Sequence, residues 1–266
     1  MVQRITSHSN EQIKRIGLLR DKKHRRATGL FLAEGLRICT EAVDAGQAPQ
    51  TIVFADDAAA HPLVERLIAV VESAGGTAIA TTNDILHKLT GRDNPQAVLG
   101  VFRQVTTELR HLDRCMAPLW LVAEGLKDPG NLGTMLRTCD ATGAGGLILL
   151  DASCDPFSVE AVRASMGAVF TVSLVQTEGR MFFDWLRDGP GQLVGASLDT
   201  AVDYRQVAYH APTFVMMGNE QSGLPPEYAA ECDALVRLPM RGRADSLNVA
   251  VSAAVLLYEM LGRLEA

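Results

Sequence analysis

The stretch TFVMMGNEQSGLPP, residues 213–226, decides the fold class of this chain. Five consecutive apolar or threonine residues lead into a polar loop with two glycines, and two adjacent prolines suit the first turn of a helix. Such a near-continuous apolar strand is typical of parallel sheets that are covered on both faces. Ligands bind beyond the carboxyl ends of parallel strands. The stretch therefore predicts a binding loop after this strand, and Glu220 places a carboxylate in it.

A second polar loop, RGRADSLNV at residues 241–249, follows the predicted strand ALVRLPM. Ser246 can cap the last helix, which we predict over Leu247–Leu264. Asn248 then lies in the first turn of an otherwise apolar helix, where a buried amide needs hydrogen-bond partners.

The third segment, NLGTMLRTC at residues 131–139, reads as a helix that Asn131 can cap. Its apolar neighbours predict that Arg137 is buried, and a buried arginine nearly always has an anionic partner. From the residues alone, an internal carboxylate and a bound phosphate are equally good candidates for that partner.

Strands alternate with helices throughout the rest of the chain, which indicates an α/β protein. Residues 104–117 mix charges with little apolar periodicity, so we predict a linker there. The predicted parts are a small α/β domain (1–105), a linker (106–116) and a mainly parallel sheet with helices on both faces (117–266). Near the N-terminus, one helix is expected from Ser9 or Asn10 to about His24.

The net charge of −6 hides a strongly basic N-terminal segment. Residues 1–26 hold eight Lys or Arg against two acidic residues, a net +6 that leaves −12 for the remainder. A basic patch on an acidic body can bring nucleic-acid phosphates to one face. Taken alone, DKKHRR at 21–26 is better explained as a solvated helix end whose cations complement the helix dipole.

Composition and spacing argue against several classes of protein. No apolar run approaches the ~20 residues that span a bilayer, and residues 1–17 lack the apolar core of a secretory signal. Five scattered cysteines disfavour metal and disulfide roles and suit a reducing cytoplasm. The six histidines avoid all three polar segments, so histidine-based catalysis is not expected. Gly143–Gly146 follows a helix, the reverse of the dinucleotide-binding order, which disfavours a nucleotide-dependent oxidoreductase.

Together the three segments resemble the SpoU (TrmH) family of RNA ribose 2′-O-methyltransferases, within the SPOUT superfamily. The matching stretches are Asn131–Arg137 with residues 141–146, then Phe214–Leu224, then Leu238–Val249, in the family's order. Residues 29–46 and 94–102 resemble the substrate-binding domain of many members, which is similar to a small ribosomal RNA-binding protein.

The resemblance implies a catalytic domain with a deep trefoil knot, and homodimers whose active site borrows from both subunits. The motif-one helix and the final helix would supply the interface. It also implies S-adenosylmethionine as the cofactor, held by loops after successive strands. The residues expected to bind it are Ser197, Leu198, Gly218, Leu238, Met240 and Leu247.

The resemblance implies five catalytic residues: Arg137, Asn131, Glu220, Ser246 and Asn248. Because a guanidinium essentially never loses its proton in a protein, we expect Arg137 to clamp the phosphate beside the reacting ribose. Glu220 and Asn131 would orient Arg137 and the ribose, and Ser246 and Asn248 would complete the polar wall.

The expected substrate is structured RNA, with ribosomal RNA favoured over transfer RNA and no membrane or metal partner. The residues expected to bind RNA are Lys22, Lys23, Arg25, Arg26 and Arg37. The alternatives are a tRNA 2′-O-methyltransferase and a non-catalytic RNA-binding protein that kept the fold.

Overall fold

A computed structural model describes residues 2–198 and 202–265 and divides the chain into two compact units. The first unit comprises Met1–Val105 and Asp155–Thr171, and the second comprises Thr106–Cys154 and Val172–Ala266. Chain order alone places residues 155–171 in the second predicted domain, 117–266. In the structure they group with the first unit, because Phe157 and Phe170 pack against Phe31.

Strands and helices alternate along the described residues. The strands are β1 (Gln3–Ile5), β2 (Leu30–Glu34), β3 (Thr51–Ala55), β4 (Thr77–Thr81), β5 (Val98–Arg103), β6 (Leu119–Glu124), β7 (Gly146–Leu150), β8 (Ser173–Thr177), β9 (Gln192–Ala196), β10 (Thr213–Met217) and β11 (Ala234–Val236). The α-helices are α1 (Glu11–Leu18), α2 (Lys22–Thr28), α3 (Leu36–Asp44), α4 (Pro62–Ser73), α5 (Asn83–Thr90), α6 (Pro129–Thr142), α7 (Val159–Ser165), α8 (Gly179–Arg187), α9 (Pro226–Ala229) and α10 (Val249–Leu264).

The first unit is built on a mixed sheet in the order β1-β4-β3-β5-β2. Strands β1, β3 and β4 run parallel, and β5 is antiparallel to β2 and β3. Apolar side chains of α1 and α5, such as Ile13 and Leu89, pack onto one core with Val53 of the central strand. This is the small α/β unit that the sequence predicted.

The single helix expected from Ser9 or Asn10 to about His24 is two helices. Asn10 caps α1, accepting hydrogen bonds from backbone N–H groups of its first turn. Asp21 interrupts the pattern, because its side chain accepts the backbone N–H of Lys23 at 3.0 Å and starts α2. Gly29, with φ 66°, ends α2 in the left-handed conformation that glycine tolerates.

The second unit contains a six-stranded sheet in the order β11-β9-β10-β6-β7-β8, with every neighbouring pair parallel. Its central strands β10, β6 and β7 are almost entirely buried, and Trp120 of β6 stacks on Phe214 of β10 in the core. The predicted parallel α/β fold is confirmed, whereas the trefoil knot stays a prediction. Among the described residues, no helix is both long and apolar enough to cross a membrane.

Candidate functional site

A cavity of about 260 Å³ opens at the carboxyl ends of three adjacent strands, β9, β10 and β11. The loops that follow these strands form its walls, together with the first turns of α10. This is where an open parallel sheet binds ligands. All six residues expected to hold the cofactor line it: Ser197, Leu198, Gly218, Leu238, Met240 and Leu247.

Two kinds of surface form the cavity wall: apolar side chains and the backbone of the loops. Leu198 is 63% exposed although it is a large apolar residue, and Leu247 is also exposed at the cavity mouth. Apolar surfaces beside backbone donors and acceptors suit a flat heteroaromatic ligand with polar edges. The residues present therefore fit the adenine end of a nucleoside cofactor.

The loop after β10 is held in one conformation by a tight turn. Asn219 and Gly223 exchange backbone hydrogen bonds of 3.1 and 2.9 Å, and the Asn219 side chain donates to the carbonyl of Gly125 at 2.7 Å. A Cβ at position 218 would collide with the backbone of Gly223 and Leu224, so glycine is required there. The turn that forms this cavity wall is therefore already present in the chain without a ligand.

Glu220 lies in this loop and is the centre of a hydrogen-bonded chain. Its carboxylate accepts the backbone N–H groups of residues 127 and 128, each at 3.2 Å. It also accepts the side-chain amide of Asn131 at 3.2 Å, and Asn248 donates to the Asn131 oxygen at 2.9 Å. Three of the predicted catalytic residues are thus joined across the starts of α6 and α10.

The helix caps differ from the expected ones. Asp128, rather than Asn131, caps α6 by accepting the backbone N–H of Asn131 at 2.7 Å. Asn248, rather than Ser246, caps α10, because that helix begins at residue 249. Each helix start is therefore shifted, which leaves the Asn131 amide free to reach Glu220. An aspartate before a proline is a helix-start signal that could have revealed Asp128.

Arg137 is exposed, so the expectation that it is buried is wrong. Met135, Leu136 and Cys139 are buried on the inner face of α6, whereas position 137 faces outward. Within the described residues it makes no ion pair, and six residues of helix place it about 9 Å along the axis from Asn131. Among the described residues, the Arg137 side chain has neither a carboxylate partner nor a hydrogen bond to Glu220, Asn131 or Asn248.

Comparison with known proteins identifies the family that the three sequence segments resemble. The profile of the SpoU rRNA Methylase family matches residues 118–258, more than half of the chain. The chain belongs to the SpoU rRNA methylase family. A second profile, the MRM3-like substrate binding domain, matches residues 10–100.

Relatives of this SpoU protein are similar over nearly its whole length. The crystal structure of an AdoMet-bound rRNA methyltransferase from Sinorhizobium meliloti is 40% identical, covers 99% of this chain and 98% of that one, and has a TM-score of 0.92. The SpoU methyltransferase AviRb from Streptomyces viridochromogenes, in complex with AdoMet, is 27% identical over 97% and 99%, with a TM-score of 0.86. A 23S rRNA (guanosine(2553)-2′-O)-methyltransferase of Bacillus subtilis is 28% identical over 98% of this chain and 100% of its own.

One predicted RNA-binding residue of this SpoU protein is structural. Arg25 is only 4% exposed, and its guanidinium bonds Asp155 at 2.7 and 3.0 Å and the carbonyls of residues 19 and 20. The prediction for Arg25 is therefore wrong, because α2 turns this side chain inward. The partner Asp155 lies too far along the chain for sequence spacing to indicate it. The other predicted positions, Lys22, Lys23, Arg26 and Arg37, are exposed, and Arg37 pairs with Glu41 at 2.8 Å.

The SpoU fold lowers the pKa of Glu220 below its ordinary value of 4.5. Partial burial acts to raise this pKa, but hydrogen bonds to the carboxylate from nearby backbone N–H groups and from the Asn131 amide outweigh it. Glu220 is consequently ionised at neutral pH and remains a hydrogen-bond acceptor only.

We expect the Glu220 carboxylate to stabilise the second unit above pH 4.5, and this contribution to be lost as the pH falls through the lowered pKa. In Glu220→Gln the contribution is absent at every pH. The urea midpoint of the second unit is followed by the fluorescence of Trp120 and Trp185. At pH 7 the wild type should have a higher midpoint than the variant, and in acid the two midpoints should be equal. Glu227→Gln, an exposed change on α9, is the control. Parallel pH profiles for wild type and Glu220→Gln would contradict the assignment.

Proposed function

We propose that this chain transfers a methyl group from S-adenosylmethionine to a ribose 2′-hydroxyl of ribosomal RNA. The observation that carries this proposal is the Glu220–Asn131–Asn248 hydrogen-bonded chain, which lies beside an apolar cavity at the carboxyl ends of parallel strands. Support for the RNA class comes from full-length relatives that are named 23S rRNA 2′-O-methyltransferases.

The cavity residues would hold S-adenosylmethionine, which supplies an electrophilic methyl group when bound. Leu198 and Leu247 would pack against its adenine, and the loop backbone at positions 218, 238 and 240 would bond its polar edge.

The chain's own residues accelerate transfer by positioning. Glu220 and Asn131 hold each other in place at the cavity rim, so that the ribose meets a preformed polar wall. Asn248 fixes the orientation of the Asn131 amide, and Ser246 lies exposed beside it on the cavity lining. Arg137 binds the phosphate next to the reacting ribose, and that phosphate helps to accept the hydroxyl proton.

We also propose that two copies of the chain form the working enzyme. Large apolar side chains lie exposed on one stripe of α10, at positions Val251, Val255 and Tyr258. Helix α6, which carries Arg137, packs against α10, so both belong to the same surface. Burying this stripe against a second copy would give an interface beside the helix that carries Arg137, and in that dimer we propose that Arg137 serves the Glu220–Asn131–Asn248 group of the partner.

The proposal is tested with purified protein and methyl-labelled S-adenosylmethionine, offered unmodified ribosomal RNA and unmodified transfer RNA separately. Label on a ribose of ribosomal RNA is the expected result. Label on transfer RNA alone would show that the substrate is transfer RNA instead of ribosomal RNA. If neither RNA is labelled but the cofactor binds, unmodified ribosomal particles are offered next. If there is neither label nor cofactor binding, the chain is not a methyltransferase.

Reversing the charge of Lys22, Lys23 and Arg26 should weaken RNA binding and flatten its salt dependence. These three side chains are exposed on α2 and form no ion pair within the described residues. Removing one cation that binds a phosphate lowers the slope of log K against log salt by about 0.7 to 0.9. The slope is measured by titration at several salt concentrations, with Arg66→Glu on α4 as the control. An unchanged slope would make this cluster solvated surface.

A further inference from the structure

The first unit contains a cavity of its own, of about 650 Å³, which none of the proposed chemistry uses. It lies where β2 passes into α3, and it is closed by the start of α4, the loop before β5 and the end of α7. Every residue that lines it belongs to the first unit. Its charged lining residues are Glu34, Arg37, Glu41, Arg92 and Arg163, of which Glu41 pairs with Arg37.

Glu34 is the unusual member of this wall. Its side chain is 2% exposed, and Oε1 accepts the backbone N–H of Gln96 at 3.0 Å. Oε2 accepts no hydrogen bond from any described residue. The nearest cation, Nη1 of Arg92, lies 3.6 Å away, which is too long for a hydrogen bond. A buried carboxylate oxygen without a donor is costly, so this position is suited to a ligand that brings an N–H group.

The other walls fit the rest of a nucleotide. Arg163 is exposed and forms no ion pair within the described residues, so it is free to bind a phosphate. Leu63 is a large apolar side chain left exposed at the start of α4, and Leu36 and Met166 add apolar surface across the cavity. A flat base can pack between such surfaces, as unstacked RNA bases do on proteins.

We propose that this cavity binds an unpaired guanine of the RNA substrate, with Glu34 Oε2 accepting from its Watson–Crick edge. Guanine presents two neighbouring N–H donors there, at N1 and N2. In adenine, cytosine and uracil an acceptor lies next to the donor and would face the carboxylate. Arg92 Nη1 lies 3.6 Å from Oε2 and its side chain is 40% exposed, so in the proposed complex its guanidinium turns toward the nucleotide phosphate and opens Oε2 to the base. The inference rests on the proposed function, because the guanine belongs to its RNA substrate.

The test uses the full chain without cofactor and four fluorescein-labelled RNA pentamers: UUGUU, UUAUU, UUCUU and UUUUU. Fluorescence anisotropy should show the guanine pentamer bound about tenfold more tightly than the others, as expected for a paired base contact. Glu34→Gln should reduce that preference to within about twofold, because its amide can present a donor to the base. Glu65→Gln, exposed on α4 outside the cavity, is the matched control and should keep the preference. Equal binding of all four pentamers by the wild type would overturn the inference.

A second variant covers the case in which Glu34→Gln fails to fold, which its thermal midpoint by circular dichroism reveals. Arg163→Ala changes an exposed residue and should weaken the binding of all four pentamers alike, lowering the salt slope by about 0.7, the value for one phosphate contact on a single strand. Unchanged binding by Arg163→Ala would remove the phosphate contact and overturn the inference. Failure of this inference is distinguishable from failure of the proposed function. If methyl transfer is intact but the guanine preference is absent, only the guanine site is rejected. If the guanine preference is present but methyl transfer is absent, only the methyltransferase activity is rejected.

Discussion

Arg137→Ala is expected to lower methyl transfer by at least about two to three orders of magnitude while S-adenosylmethionine still binds. The reason is positional: Arg137 lies on the outer face of α6 and does not line the cofactor cavity. Single-turnover transfer measures the first effect, and calorimetric titration of the cofactor measures the second. Arg137→Lys is the matched control, because it keeps the charge but loses the two-pronged phosphate contact. Loss of cofactor binding in Arg137→Ala would make this residue structural.

The same variant tests whether the active site is shared. Asn131→Ala breaks the hydrogen bonds that link Glu220, Asn131 and Asn248, whereas Arg137→Ala leaves them intact. If Arg137 serves the partner subunit, a mixed dimer of the two variants has one complete site, and random exchange restores about a quarter of wild-type activity. If Arg137 serves its own protomer, every mixed dimer carries two defective sites. An inactive mixture with demonstrated subunit exchange would therefore contradict the shared site.

Arg25→Met is expected to destabilise the first unit by about 3 to 5 kcal/mol. The substitution leaves Asp155 without its cation in a nearly buried position and also removes two hydrogen bonds to backbone carbonyls. Breaking one partner of a buried pair costs far more than the pair itself contributes, because the remaining charge stays desolvated. Arg26→Met, one residue along α2 and exposed, should change stability by no more than about 0.5 kcal/mol.

The two units have to be followed separately for this measurement. Both tryptophans and all four tyrosines lie outside the first unit, so intrinsic fluorescence reports the second unit. Hydrogen exchange of peptides from β2, β3 and β5 reports the first. Arg25→Met combined with Asp155→Leu should recover much of the loss, since no isolated charge remains. Equal rates of hydrogen exchange in Arg25→Met and Arg26→Met would contradict a structural role for the Arg25–Asp155 ion pair.

The pattern of apolar residues was enough to predict the strands of both sheets except β1, whose three residues, Gln3–Ile5, are too short to show a period. The strands 119–124, 146–150 and 213–217 are nearly continuous apolar runs of five or six residues, and their short length and flanking glycine or polar loops favour a buried strand over a helix. Helix starts were less predictable. Asp21, Asp128 and Asn248 each accept backbone N–H groups, and the sequence offers several residues that could do so at each end.

The sequence by itself determined the fold class, the family and which loops carry polar residues, because hydrophobic period and local loop chemistry depend only on near neighbours. Tertiary structure alone decided which side chains meet. It joined Asn131 to Glu220 and Asn248, buried Arg25 against Asp155, and left Arg137 exposed. These contacts span 89, 117 and 130 residues. Burial of a charge depends on packing between distant segments, which no local pattern records.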